Sequence, residues 1–230
     1  MQEKTFLFYI VRLLPIFLFT SVSVNAQPVS DPDPARFQQQ IEAFEQWDAR
    51  NSFPENGVLF TGSSSIRFWK THRSFPDLSV INRGFGGAHI SDVLHYYDEV
   101  IGKYQPSVIV FYAGDNDIAA GKPVSQVIED YREITDRIRT DFPGTRFLFI
   151  SIKPSSSRWS YWTDMKRTNI LIREYNNQHG NLYYIDLAAP LLQNGKPDER
   201  LFMDDLLHLN ERGYAAWNRV IGPKLEALFE

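Results

Sequence analysis

The stretch Val58-Leu59-Phe60-Thr61-Gly62-Ser63-Ser64-Ser65-Ile66-Arg67-Phe68-Trp69 decides the fold. An apolar run without polar alternation suits a parallel strand buried on both faces, and here it enters a glycine turn that opens a helical segment. Working outward, the run recurs four times, at Val80 to Asn82, Val108 to Tyr112, Phe147 to Ile152 and Leu182 to Ile185. Helical patterns lie between these runs. Val124, Val127, Ile128, Tyr131, Ile134 and Ile138 form one stripe that Phe142-Pro143-Gly144 stops, and a second pattern covers roughly Thr163 to Gln178. A third runs from Glu211 to Phe229 with Tyr214, Trp217, Val220, Ile221, Leu225 and Leu228 inward, and Asn210 is placed to cap it. Upstream, Asp31-Pro32-Asp33-Pro34 reads as a stiff linker into a helix whose Phe37, Ile41, Phe44 and Trp47 should cover the sheet. Strand and helix alternate throughout, which predicts a three-layer α/β/α sandwich around a parallel sheet.

The first twenty-six residues stand apart from this pattern. Lys4 and Arg12 precede the apolar Leu13-Leu14-Pro15-Ile16-Phe17-Leu18-Phe19, and Val24-Asn25-Ala26 offers a small-residue cleavage site. These are the marks of a secretory signal, with an apolar stretch too short to span a bilayer. Residues 1–26 are thus expected to be a signal peptide and residues 27–230 a single domain, periplasmic or secreted. The chain has no cysteine, hence no lipid attachment site of the bacterial lipoprotein kind and no disulfide, and no stable membrane anchor is expected. The leader holds Lys4, Arg12 and Glu3, a net +1, so the remaining chain carries −5 rather than −4. That balance argues against nucleic acid as a partner, because its binders concentrate Lys and Arg on one face. The sequence sets no oligomeric state.

An open α/β sheet binds its ligand outside the carboxyl ends of its strands. Four segments are candidates to meet there: Gly62-Ser63-Ser64-Ser65, Asn82-Arg83-Gly84-Phe85-Gly86-Gly87, Gly114-Asp115-Asn116-Asp117 and Asp205-Leu206-Leu207-His208. Serines at a helix amino end sit among unpaired amides that can stabilise an anion, although serines also serve there simply as caps. Gly87 leaves its amide open to a substrate, and a glycine pair also suits any tight turn. Asn116 offers an amide donor or an Asx turn. A histidine three residues after a carboxylate, on one side of a turn, suits acid/base work. His72, His89, His95 and His179 lack such a setting, and no metal-ligand spacing is present, so neither metal nor cofactor is expected.

In order and placement these four segments resemble the blocks of the SGNH, or GDSL, hydrolase superfamily, and most of all the branch of the platelet-activating-factor acetylhydrolase catalytic subunits. The resemblance implies a flavodoxin-like five-stranded parallel sheet and a serine ester hydrolase. It implies Ser64 as nucleophile, at the family's offsets from Gly62 and Trp69, with His208 as general base and Asp205, rather than Asp204, as its partner. It also implies an oxyanion hole built from the Ser64 amide, the Gly87 amide and the Asn116 side chain. Ser63 stands where the family has Asp, and Ala88 stands where relatives often have it. The segment Lys153 to Trp162 follows the fourth strand and should overhang the same crevice, offering Arg158 and Trp159 to a substrate.

The expected reaction is cleavage of carboxylic esters with short acyl groups through an acyl-enzyme. Small-molecule, carbohydrate and lipid esters all stay open as substrates, so a lysophospholipase or a carbohydrate O-deacetylase is an alternative. A non-catalytic carbohydrate-binding protein of the same fold is a further one.

Overall fold

The computed structural model describes residue 1 and residues 28–229; the expected signal peptide lies outside the described residues. β1 (Val58–Gly62), β2 (Val80–Gly84), β3 (Val108–Tyr112), β4 (Arg146–Ile150) and β5 (Leu182–Ile185) form one parallel sheet in the order β2-β1-β3-β4-β5. Every residue of β1 and β3 is buried, the condition under which a strand carries no polar alternation. Alternation appears instead in where the side chains go. Leu59, Ile109, Phe111, Phe147 and Phe149 belong to one core, and Val58, Phe60, Val108, Val110, Tyr112, Leu148 and Ile150 to the other.

The first core is closed by α1 (Gln38–Asp48), α4 (Ile90–His95), α5 (Tyr97–Val100), α7 (Val124–Asp141) and α8 (Trp162–Asn176), which contribute Ile41, Val93, Tyr97, Tyr131, Ile134 and Ile172. The second is closed by α9 (Glu211–Phe229) with Trp217, Ile221 and Leu225, and by the short α2 (Ser64–Arg67) and α3 (Thr71–Ser74), between which Trp69 packs on Trp217 at 5.4 Å between ring centroids. Burying each such side chain contributes about 1.5–3 kcal/mol. The expected three-layer sandwich on a flavodoxin-like five-stranded sheet is the observed architecture, completed by α6 (Asp115–Ala119) at the carboxyl end of β3.

Two positions differ from the sequence reading. Trp47, at helical spacing with Ile41, is 43% exposed, because its ring lies under the guanidinium of Arg83 at 4.9 Å rather than on the sheet. Val220 is 41% exposed, while its neighbour Ile221 takes the buried place. Asn210 caps α9, its Oδ1 accepting from the amides of Arg212 at 2.9 Å and Gly213 at 3.1 Å.

The strand order fixes where a ligand meets the sheet. The chain leaves β1 to one side for β2 and returns past it to β3, so the β1/β3 boundary is the topological switch point of a 2-1-3-4-5 sheet. Gly62 is in register with Gly84 and Tyr112, which brings the turns after β1, β2 and β3 to one edge.

Candidate active site

The first turn is forced by Gly62. Its φ is +122°, and a Cβ there would come within 2.0 Å of the Tyr112 carbonyl oxygen, so a side chain fails on both conformation and space. The chain then bonds outward, the Ser63 amide donating to Tyr112 O at 2.8 Å and the Phe85 amide to Gly62 O at 3.0 Å. Ser64 becomes the first residue of α2, where an amide has no intrahelical acceptor. The three serines are separated by this geometry. Ser63 and Ser65 are 0% and 1% exposed, and the Ser63 hydroxyl has no partner, whereas Ser64 Oγ lies 3.0 Å from Nε2 of His208.

His208 arrives on a tightly held loop. Its carbonyl accepts from Met203 N at 2.7 Å, Phe202 and Leu209 form a bridge, and Leu206 takes a left-handed φ of 53°. Asp205 Oδ1 accepts the amides of Leu207 and His208, both at 2.9 Å, leaving Oδ2 to meet His208 Nδ1 at 2.5 Å. Burial is the largest single influence and works against ionisation of this carboxyl, but the His208 ring and the two amides together outweigh it and hold the group at about 2. Asp205 is therefore charged at any working pH and fixes the Nδ1–H tautomer, which leaves Nε2 as the acceptor facing Ser64. Phe68 packs edge-on against the imidazole at 4.9 Å.

The other edge is built from the turns after β2 and β3. Gly87 has φ +84° with open space around its missing side chain, so glycine answers here to conformation rather than crowding. Asn116 Nδ2 donates to Ala88 O at 3.0 Å, tying the two turns together. One Nδ2 hydrogen remains for another acceptor. The Ser64 amide at the start of α2, Gly87 in the turn after β2 and Asn116 in the first turn of α6 thus all stand at the carboxyl edge of the sheet around the switch point.

Arg158 and Trp159 lie on the expected segment, but their contacts are with the protein. Arg158 Nη2 donates to Asn116 Oδ1 at 2.9 Å, and Nη1 lies 3.0 Å from Asp115 Oδ2. Trp159 stacks on Trp162 with centroids 6.1 Å apart. The segment is pinned to the histidine loop by the Ser157 amide, which donates to Leu206 O at 3.2 Å.

Two buried ion clusters support these loops, and sequence reasoning missed both. Lys153, 1% exposed, lies 3.4 Å from Asp115 Oδ2 and from the Tyr112 hydroxyl. Burial pushes the Asp115 carboxyl up, but Lys153 and Arg158 outweigh it and keep it ionised below its ordinary range. The signal for Lys153 is a lysine closing a run, Phe147 to Ile152, whose one polar residue is Ser151. Behind Asn116, Lys122 has a fully buried side chain and is raised by Asp117, Asp130 and Asp31 despite its burial. Asp117 itself is pushed up by burial to about 6. The two partners differ because Lys122 draws on three carboxylates, while Asp117 shares its one cation and leaves Oδ2 unpaired. His89 starts α4 beside this cluster, and burial holds its ring below the ordinary range. Among the described residues, no group of His, Asp or Glu is arranged to hold a metal, and no helix is long and apolar enough to cross a membrane.

A serine, imidazole and carboxylate in this order, beside amide donors at a sheet edge, can carry out acyl transfer. Residues 61–216 match the GDSL-like lipase/acylhydrolase family, and the chain belongs to that family. It is a hydrolase of the esterase type. It is 23% identical over 211 residues to the platelet-activating factor acetylhydrolase IB subunit alpha1 of Pongo abelii, spanning 84% of this chain and 87% of that protein. Its fold is similar to that of a GDSL-like lipase from Bacteroides thetaiotaomicron (TM-score 0.71, 18% identity, 81% of this chain and 97% of that one). It is also similar to that of a carbohydrate esterase family 3 protein from Talaromyces cellulolyticus (TM-score 0.59, 19% identity, 75% and 97%).

Proposed function

We propose that this chain is an exported serine esterase that cleaves acetyl and other short-acyl carboxylic esters through an acyl-enzyme. The observation that carries the reading is the continuous chain from Ser64 Oγ to His208 Nε2 at 3.0 Å and from His208 Nδ1 to Asp205 at 2.5 Å. Ser64 Oγ attacks the ester carbonyl as its proton passes to Nε2. The charge that appears on the carbonyl oxygen is met by the amides of Ser64 and Gly87 and by Asn116 Nδ2, each such donor contributing about 2.7–4 kcal/mol. Nε2 then gives its proton to the leaving alcohol, and water, deprotonated by the same nitrogen, releases the acid.

Short acyl groups are supported by the setting of the site. Phe68, edge-on against the His208 ring, and Met203, whose amide donates to the His208 carbonyl, are each 41% exposed and offer a short acyl group apolar contact beside the site. The name of one similar protein, an acetylhydrolase subunit, points the same way. Export rests on residues 1–26, with processing after Ala26, and N-terminal sequencing of the exported protein should begin at Gln27.

The decisive experiment is fluorophosphonate labelling with peptide mapping, followed by an ester panel that varies acyl length and leaving group. The adduct should fall on Ser64 and vanish in Ser64→Ala, while Ser63→Ala and Ser65→Ala retain it. An adduct on Ser63 or Ser65, or no adduct on the folded protein, would overturn the assignment.

A further inference from the structure

Asn116 can donate to an oxyanion only if its amide points nitrogen-first into the site. An Asn side chain holds its oxygen and nitrogen in nearly equivalent shapes, so a half-turn about its last bond replaces the donor with an acceptor. The contact with Ala88 O opposes that turn, since the flipped amide would set oxygen against oxygen at 3.0 Å. At the other end sits Arg158, whose Nη2 donates to Asn116 Oδ1 at 2.9 Å. A guanidinium has donors and no acceptor, so it rejects the flipped amide as well. Arg158 is in turn paired by charge with Asp115, 2% exposed, at 3.0 Å, and its own side chain is only 19% exposed.

We propose that Arg158 is a positioning residue for the reaction: it locks the Asn116 amide nitrogen-first and, through its charge on Oδ1, sharpens Nδ2 as a donor to the developing oxyanion. This rests on the reading of Asn116 as an oxyanion donor. The sequence reading offers Arg158 to a substrate; in the structure its Nη2 is bonded to Asn116 Oδ1, while Nη1 lies 3.0 Å from Asp115 Oδ2 as a charge contact without a hydrogen bond. A charge-assisted bond is about twice as strong as a neutral one, and it acts at the site where charge appears in the transition state. The effect therefore belongs in kcat rather than in binding.

The test is a double-mutant cycle on the full-length folded enzyme with 4-nitrophenyl acetate, which carries no anion for Arg158 to bind. Arg158→Met should lower kcat by about tenfold to a hundredfold with KM unchanged. Arg158→Lys keeps the charge beside Asp115 but loses the planar fork, and should recover part of that loss. Asn116→Ala should cost roughly a hundredfold to a thousandfold, and the double variant Asn116→Ala/Arg158→Met should be no slower than Asn116→Ala alone by more than about threefold, because Arg158 then has nothing to position. Losses that multiply in the double variant would overturn the proposal, as would a rise in KM at constant kcat in Arg158→Met. An unchanged kcat in Asn116→Ala would instead overturn the oxyanion role of Asn116 itself, a distinct outcome. Thermal melts of the parent and the four variants separate these effects from loss of fold.

Discussion

Replacing Asp205 by Asn tests the proposed triad at its most local point. The variant keeps an oxygen to accept from the Leu207 and His208 amides, at 2.9 Å each in the parent, so the turn persists. The atom facing His208 Nδ1 becomes an NH2 donor, and the imidazole must turn Nδ1 into an acceptor to meet it. Its proton then moves to Nε2 and points at Ser64 Oγ, where a base is required. Turnover should fall by about ten thousandfold, close to 5 kcal/mol of barrier. The stability cost is worked separately. Depression of the carboxyl from 3.8 to about 2 corresponds to roughly 2 kcal/mol, but the side chain is 46% exposed, and solvent screening brings that below about 1 kcal/mol. Being a depressed carboxyl, it contributes its stability above about pH 4 and loses it as pH falls toward 2. Steady-state kinetics and urea unfolding on the same preparation check both numbers, with Asp204→Asn as control. A loss of less than tenfold, or equal losses in the two variants, would refute the tautomer argument.

Asp115→Asn removes the carboxylate shared by Lys153 and Arg158, and a lysine 1% exposed is left without its counter-charge. Urea unfolding should show a loss of about 3–5 kcal/mol, partly restored by adding Lys153→Met; a loss below about 1 kcal/mol would contradict the cluster's role. Asp117→Asn should change how stability depends on pH. A carboxyl raised by burial to about 6 contributes its stability below about pH 4 and loses it as pH rises through 6. The parent should therefore lose roughly 3 kcal/mol relative to the variant across that window, and parallel urea midpoints from pH 4 to 7 would refute it.

The parts of this fold legible in the sequence are those whose partners lie close along the chain or whose surroundings are uniformly apolar. β3 is an unbroken apolar run and β1 is interrupted only by the buried Thr61, because both their faces are covered, and that cause is written in the residues themselves. The end of β4 was not legible. The apolar run reaches Ile152, yet the strand stops at Ile150, because Asn169 of α8 takes both the amide and the carbonyl of Ile152, at 2.7 and 2.9 Å. The order of the four segments pointed to Ser64, Asn116, Asp205 and His208 through the family resemblance. Arg158 read as a substrate contact because its true acceptor, Asn116, lies 42 positions away. Lys153 draws no reading of its own because its carboxylate, Asp115, lies 38 positions away, and Lys122, although only five positions from Asp117, becomes a cluster only when the fold adds Asp130 and Asp31.

α9 supplies the largest share of the cover on one face of the sheet, and the loop just before it delivers His208 to a serine 144 positions upstream. During synthesis or translocation, a chain that has grown as far as β5 already contains Ser64, Gly87 and Asn116, but Phe60, Val110 and Tyr112 still face water on the side that Trp217, Ile221 and Leu225 will occupy. The segment that lets the domain fold is thus the segment that brings the proposed base. Stability and hydrolysis switch on in a single step, and a cut between β5 and α9 that released the helix would end both together.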